Sequence, residues 1–137
     1  MKVVLDTNIW LSAIFWDGEA NNILEKAEKE KFRVIITQDI LSEIVKVINR
    51  ESKFQRLMDN LNQDIEDLIR TILSISTLIE TKSKFNLVKE DPKDNMILEA
   101  AFDGDVDYII SYDKHLLNMI EFREKKILGP KEFLKLI

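Results

Sequence analysis

The sequence predicts an α/β fold in which a parallel sheet is covered by helices on both faces. Short β-branched, apolar runs alternate with longer segments whose apolar residues recur every three or four positions. The apolar runs lack the polar alternation of a half-exposed strand, which is typical of strands buried on both faces. No linker or low-complexity tract interrupts the 137 residues. We therefore expect a single domain, residues 1–137, built as a three-layer α/β/α sandwich.

The two kinds of segment follow one another along the chain. The strand-like runs are 2–5, 33–36 and 108–111, with weaker candidates near 77–80 and 126–128. The helix-like segments are 9–15, 19–31, 38–49, a pair within 53–74, and 92–102. Ligands of open parallel sheets bind outside the carboxyl ends of the strands. This edge is where we look for a site.

Composition excludes several classes of site. The chain has no cysteine and one histidine, which excludes disulfides, thiolate zinc sites and cysteine nucleophiles, and argues against a histidine-rich metal site. The net charge of −5 is the wrong sign for a protein that holds nucleic acid by bulk electrostatics. If four of the 25 acids bind metal, however, the other 21 nearly balance the 20 basic residues. A nucleic-acid substrate therefore stays compatible with the charge.

The sequence contains no membrane or export signal that we recognise. Its apolar start is short and is interrupted by Asp6, unlike a signal peptide. No uncharged apolar stretch approaches the ~20 residues that a membrane helix needs. We expect a soluble, cytoplasmic protein.

Two acids lie just beyond the ends of predicted strands. Asp6 ends the first strand, and Asp113 follows the strand 108–111 after one intervening residue. Both could merely cap the next helix. For Asp6 we expect Thr7 or Asn8 to fill that role, which leaves its carboxylate free. The hydroxyl of Ser111 at the second strand end could bind an anion or water.

Two further acids lie on predicted helices. Glu43 falls roughly 40° from Val47, on the flank of an apolar stripe, where it could reach a cleft or simply be solvated. Asp94 follows Asp91 and Pro92, which we interpret as the N-cap and the first helical residue. An acid in the first turn of a helix is also favoured by the helix dipole alone.

The joint pattern is more informative than any single acid. Unpaired carboxylates within ~4 to 6 Å of each other raise one another's pKa, so such a cluster stays ionised only with a cation. Oxygen ligands favour Mg²⁺ or Mn²⁺. Such ions support hydrolysis of phosphodiesters by water, without a covalent enzyme intermediate.

Four segments resemble the PIN-domain family in order and spacing, over essentially the whole chain. They are Val3–Asn8, Ser42–Glu43, Asp91–Asn95 and Tyr108–Leu117. The segment 43–54 is similar to the branch that comprises the VapC-like ribonuclease toxins of toxin–antitoxin systems. The resemblance implies a Mg²⁺- or Mn²⁺-dependent nuclease, usually acting on RNA. It also implies a five-stranded parallel sheet in the order 3-2-1-4-5.

The resemblance assigns roles to particular residues. The acidic quartet falls on Asp6, Glu43, Asp94 and Asp113, its polar companion on Asn8, and its usual Thr or Ser on Ser111. Asp6, Asp94 and Asp113 would bind metal, and Glu43 would complete the shell or orient water. Tyr112 departs from the family, because a small residue is common there. The expected partners are RNA, a cognate antitoxin and a second copy of the chain, with residues 53–74 a candidate dimer surface.

Other functions remain open at the level of the sequence. A noncatalytic RNA-binding or scaffold module could share this fold. An Asp-dependent phosphatase or receiver-like domain usually has a second acid two positions after the first, where this chain has Asn8. No glycine-rich loop follows the first strand, so nucleotide binding of the P-loop or dinucleotide type is disfavoured. The aromatic residues Trp10, Phe15 and Trp16 could stack on bases, but we favour core packing or a dimer contact for them.

Overall fold

The computed structural model describes residues 1–137 and contains six strands and eight helices. The strands are β1 (Lys2–Leu5), β2 (Arg33–Thr37), β3 (Thr77–Ile79), β4 (Tyr108–Ile110), β5 (Glu121–Phe122) and β6 (Lys125–Leu128). The helices are α1 (Thr7–Phe15), α2 (Glu19–Glu28), α3 (Gln38–Arg50), α4 (Ser52–Leu61), α5 (Ile65–Ser74), α6 (Asp94–Asp103), α7 (Lys114–Leu117) and α8 (Pro130–Leu134). None of these helices combines the length and apolar character that crossing a membrane requires.

All six strands form one sheet in the order β3-β2-β1-β4-β6-β5. The five parallel strands confirm the predicted fold class and order, with β6 in the place of the predicted fifth strand. The sixth strand was not predicted, because β5 has only two residues and pairs antiparallel with β6. The hairpin turns through Arg123 and Glu124 at φ 48° and 72°, as a type I′ turn requires. Neither residue is the glycine or asparagine that usually signals such a turn.

Helices cover both faces of the sheet. Consecutive residues of a strand point to opposite faces, and Val3, Val4 and Leu5 of β1 are all fully buried. Helix α6 packs on β1, β2 and β4, and α3 packs on β2 and α6. Helix α1 packs on α2 and α3, and α2 packs on α8. Together the elements enclose a core of 36 buried apolar residues.

The helix boundaries follow local backbone chemistry. The predicted pair within 53–74 is α4 and α5, which separate where Asn62 takes the left-handed conformation at φ 54°. The helix predicted for 19–31 ends three residues early, because Glu30 has φ 58°. Trp10 is fully buried, which confirms core packing for this aromatic residue. Trp16 is partly exposed and contacts Phe54 instead.

Two neighbouring strands deliver the predicted site. β1 pairs with β4, with Leu5 opposite Ile110. The pairing continues one residue further, because the Asp6 N–H donates to the Ile110 carbonyl at 3.1 Å. Helix α1 begins directly after Asp6, and α7 begins directly after Asp113. The two strand-end acids therefore lie at one edge of the sheet.

Candidate metal centre

An acidic cleft of about 200 Å³ lies at the carboxyl edge of the sheet. All four predicted acids line it, together with Asn8. Its other polar lining residues are Thr7, Arg50, Glu51, Asp91 and Lys93. A larger hollow of about 770 Å³ lies at the opposite edge, where its charged lining residues are mostly exposed. The structure thus brings the sequence-predicted acids together in one small cleft.

Asp6 is a buried link between β1, α1 and the second strand end. Its side chain is the N-cap of α1, because Oδ1 accepts a hydrogen bond from the Ile9 N–H at 2.9 Å. The other oxygen, Oδ2, accepts a hydrogen bond from the Ser111 hydroxyl. The expectation that Thr7 or Asn8 would cap this helix is wrong, because the helix begins at Thr7 and only Asp6 has the extended backbone of a cap. Asp6 is 5% exposed.

Ser111 joins the two strand-end acids. While its hydroxyl donates to Asp6, the same oxygen accepts from the Asp113 N–H at 2.9 Å. Asp113 also caps α7, since its Oδ1 accepts from the His115 N–H at 2.7 Å. Asp6 and Asp113 therefore each cap a helix and also line the cleft. Asn8 lines the cleft but is exposed.

Asp94 is the acid with the least compensation. It is 6% exposed, and its Oδ2 atom is buried without a hydrogen-bond partner. One carboxylate oxygen each from Asp91, Asp94 and Asp113 lies within 4.8 Å of the others. A buried, unpartnered carboxylate oxygen beside two further acids costs free energy unless a cation or a proton compensates it. This is the position in the cleft that most needs a positive charge.

The turn before α6 differs from the prediction. Asp91 was expected to cap a helix that starts at Pro92, but α6 starts at Asp94 and its N-cap is Lys93. The Asp91 side chain instead closes a tight turn, with Oδ1 accepting from the Lys93 N–H at 3.2 Å. Its carbonyl accepts from the Asp94 N–H at 3.0 Å. The side chain of Asp91 competes with helical hydrogen bonding here and delays the start of the helix.

Glu43 reaches the cleft from α3 and is 9% exposed. Its Oε1 atom lies 2.8 Å from Nζ of Lys93, whose side chain is half exposed. Lys84, which precedes α6 in the chain, does not line the cleft and lies beside Asp39 and Glu99. Glu43 therefore already has a positive partner from the protein, whereas Asp94 has none.

Two pKa values record the cost of packing these acids together. Burial raises the pKa of Asp6 to about 6, although the hydrogen bonds from Ser111 and the Ile9 N–H oppose this. Burial, followed by the negative charges of Asp113, Asp91 and Asp6, raises the pKa of Asp94 to about 7. Near neutral pH the cleft therefore favours either protons or a bound cation.

The donor set fits a hard divalent cation. The cleft offers carboxylate oxygens and no histidine or cysteine side chain, which suits Mg²⁺ or Mn²⁺ and disfavours softer metals. The Oδ2 atom of Asp94 has no hydrogen-bond partner in the protein and is free to bind a cation. Asp6, Glu43, Asp94 and Asp113 are the side chains that could hold such an ion.

Comparison with known proteins identifies the family. The PIN domain family model matches residues 2–115. The chain belongs to the PIN domain family. VapBC2 from Rickettsia felis, solved bound to a DNA fragment from its promoter, has a similar structure, with a TM-score of 0.63 and 16% identity over 94% of this chain and 98% of that one. PAE2754 from Pyrobaculum aerophilum is also similar, with a TM-score of 0.59 and 13% identity over 99% of this chain and 88% of that one. At such identities the two structures establish the fold alone, and no curated protein sequence matches significantly.

Sequence reasoning missed two features of this PIN domain site. It placed Asp91 at a helix cap, although its carboxylate lies in the cleft beside Asp94. It also did not pair Lys93 with Glu43, because that contact joins a helix to a distant turn. The spacing Asp91-x-x-Asp94 was the available signal, since residues three apart lie on one side of a helical turn.

Proposed function

We propose that this PIN domain is a Mg²⁺- or Mn²⁺-dependent ribonuclease that hydrolyses RNA phosphodiester bonds. The observation that carries the proposal is that Asp94, whose Oδ2 is buried without a hydrogen-bond partner, has a carboxylate oxygen within 4.8 Å of those of Asp91 and Asp113. A fold has no structural need for such a costly group, whereas a cation site does. The family membership supports nuclease chemistry at these residues.

In this proposal Asp6, Asp94 and Asp113 hold the cation, and Glu43 completes the shell or orients water. A bound divalent ion would lower the pKa of water and offset the charge of the phosphodiester. Ser111 fixes the carboxylate of Asp6 and, through the backbone of Asp113, the second strand end. Lys93 holds Glu43 in the cleft and adds a positive charge at its mouth, where an RNA phosphate would enter.

We further propose that the protein is the VapC-like toxin of a toxin–antitoxin pair, located in the cytoplasm. The fold shared with VapBC2 supports this assignment and a cognate antitoxin as partner. A homodimer is also part of the proposal, with α4 and α5 as its candidate surface. Residues 1–137 would act as one PIN domain, which is consistent with their common apolar core.

The decisive experiment compares Asp6→Asn with wild type on labelled RNA oligonucleotides of randomised sequence, in the presence and absence of Mn²⁺. Asparagine can still accept from the Ile9 N–H, so α1 stays capped while the negative charge is lost. We expect cleavage to fall at least about 100-fold. The matched control is Asp64→Asn, which changes the cap of α5 in the same way at an exposed position.

Each outcome has a clear meaning. Cleavage that requires Mn²⁺, survives in Asp64→Asn and disappears in a folded Asp6→Asn supports the ribonuclease. RNA binding by wild type without any cleavage would favour the noncatalytic module instead. Equal cleavage by all three purified proteins would point to a contaminating nuclease and would contradict the proposal.

A further inference from the structure

We infer that Asp91 supplies a ligand oxygen to the divalent cation, beside Asp94 and Asp113, and so adds a fifth acid to the site. The inference deepens the proposed function, because it rests on the same cation site. It differs in what it assigns: the residue lies outside the quartet that the family resemblance implies. The turn between β3 and α6 thereby becomes part of the metal centre.

The first support is distance. The nearest carboxylate oxygens of Asp91, Asp94 and Asp113 all lie within 4.8 Å of one another. Mg²⁺ binds oxygen at about 2.0 to 2.1 Å, so two oxygens on one ion lie at most about 4.2 Å apart. The 4.8 Å limit is only about 0.6 Å wider than this spacing.

The second support is the buried Oδ2 atom of Asp94. It lacks any hydrogen-bond partner and belongs to a residue that is 6% exposed and lines the cleft. A third acid beside Asp94 and Asp113 increases the repulsion among the carboxylates when no cation is bound. When a cation is bound, the same acid adds a ligand. The negative charge of Asp91 therefore costs free energy at this position. Closing the turn does not require that charge, since a neutral side chain could accept the same hydrogen bond from the Lys93 N–H.

The third support is the state of the other carboxylate oxygens. Glu43 is engaged by Lys93 at 2.8 Å, which partly satisfies its charge. Asp91 accepts one hydrogen bond, at Oδ1 from the Lys93 N–H, which leaves its Oδ2 for a ligand. The backbone N–H of Lys93 thus orients Asp91, while the side chain of Lys93 forms an ion pair with Glu43.

The fourth support is the rigidity of the turn. Asn95 is buried, and its Oδ1 accepts from the N–H groups of Leu87 and Val88 at 2.9 and 3.0 Å. Its Nδ2 donates to the carbonyls of Val88 and Pro92 at 3.0 and 3.2 Å. This fully used amide clamps the segment that carries Asp91 against the start of α6. A ligand held by such a clamp is positioned before the ion binds.

The test measures binding of Mn²⁺ alone, by calorimetry and by electron paramagnetic resonance, to wild type, Asp91→Asn and Glu90→Gln. Asparagine can still accept from the Lys93 N–H, so the turn is retained while the charge is lost. Glu90→Gln removes the same charge from the neighbouring, exposed residue. We expect Asp91→Asn to weaken Mn²⁺ binding at least about tenfold. Glu90→Gln should bind as wild type does.

The outcomes separate this inference from the proposed function. Equal Mn²⁺ affinity in Asp91→Asn and wild type would overturn the inference and leave the ribonuclease intact. Mn²⁺ binding that depends on Asp91, without RNA cleavage by wild type, would support the inference and overturn the ribonuclease. A wild type that binds no Mn²⁺ would overturn both. If Asp91→Asn does not fold, Asp91→Ser offers a second neutral acceptor for the same turn and is judged by the same comparison.

Discussion

Two helices of this protein begin with the same sequence spacing, Asp-x-x-Asp, and the structure uses the two pairs in opposite ways. At the start of α5, Asp64 and Asp67 accept hydrogen bonds from each other's backbone N–H groups at 2.8 and 3.2 Å. At the start of α6, Asp91 closes a turn, and Asp94 has a buried oxygen without a hydrogen-bond partner and lies beside two other acids. The first pair completes a helix end, and the second lies in the cleft.

The pKa values of Asp67 and Asp94 are shifted in opposite directions. The Asp67 side chain is 46% exposed, and the hydrogen bond from the Asp64 N–H, with help from Arg70, holds the pKa of Asp67 below its usual value. Burial and neighbouring acids instead raise the pKa of Asp94 to about 7. Spacing therefore identifies acids at a helix start but not their role. Burial without a donor distinguishes the site from the cap.

The largest expected contrast between the pairs is in catalysis. Asp94→Asn should reduce single-turnover RNA cleavage in Mn²⁺ at least about 100-fold, because it removes a central proposed ligand of the cation. Asp67→Asn should leave the rate unchanged, since that residue does not line the cleft and belongs to the capping box of α5. Comparable losses in both variants would remove the distinction between site and cap.

The next contrast is in stabilisation by metal. A ligand at 100 times its Kd stabilises the folded state by about 2.7 kcal/mol, and we expect saturating Mn²⁺ to raise the Tm of wild type accordingly. Asp67→Asn should retain this gain and Asp94→Asn should lose most of it. Thermal unfolding followed by circular dichroism, with and without Mn²⁺, measures the difference. An unchanged gain in Asp94→Asn would place the binding site elsewhere.

The smallest contrast is in the pH dependence of stability without metal. Asp6 and Asp94 have pKa values of about 6 and 7 in the folded protein, against 3.8 for the ordinary group, so the folded state binds more protons than the unfolded state. Their contribution to stability is therefore lost as pH rises through 6 and 7 and is regained as pH falls. Denaturant titrations in EDTA should give a free energy of unfolding about 1 to 2 kcal/mol higher at pH 5.5 than at pH 8.

The Asp-x-x-Asp pairs again provide the control for this pH effect. Asp94→Asn should flatten the dependence, because it removes the group with the highest pKa in the cleft. Asp67→Asn should leave it in place, since the pKa of Asp67 is lowered and its contribution is lost only in more acidic solution. A metal-free wild type that is less stable at pH 5.5 than at pH 8 would contradict the account of the cleft.

Much of this architecture was predictable from local patterns. The apolar runs of β1, β2 and β4 predicted a parallel sheet, and the parallel sheet predicted that Asp6 and Asp113 share an edge. The strand β5 was not predictable, because the turn at Arg123 and Glu124 adopts positive φ without glycine or asparagine. Its conformation is imposed by the pairing with β6 and not by residue preference.

The clustering of the four acids was predictable, but their contacts were not. The predicted parallel sheet and the PIN-domain resemblance brought the four acids to one edge, whereas the ion pair of Lys93 with Glu43 depends on how α3 packs beside α6. Likewise, the two segments share the Asp-x-x-Asp spacing, and only the surrounding fold buries Asp94 while it leaves Asp67 half exposed. Tertiary burial, which no short window of sequence contains, separates the two outcomes.

The most direct test of the central claim is anomalous X-ray diffraction from crystals grown with Mn²⁺. The account predicts a manganese peak in the cleft within about 2.3 Å of carboxylate oxygens of Asp94 and Asp113, with no peak between Asp64 and Asp67. A Mn²⁺ concentration of about 10 times its Kd is sufficient, because it nearly saturates a single site. A cleft without manganese, or a peak at the α5 pair alone, would contradict the claim that buried acids here are held together by a cation.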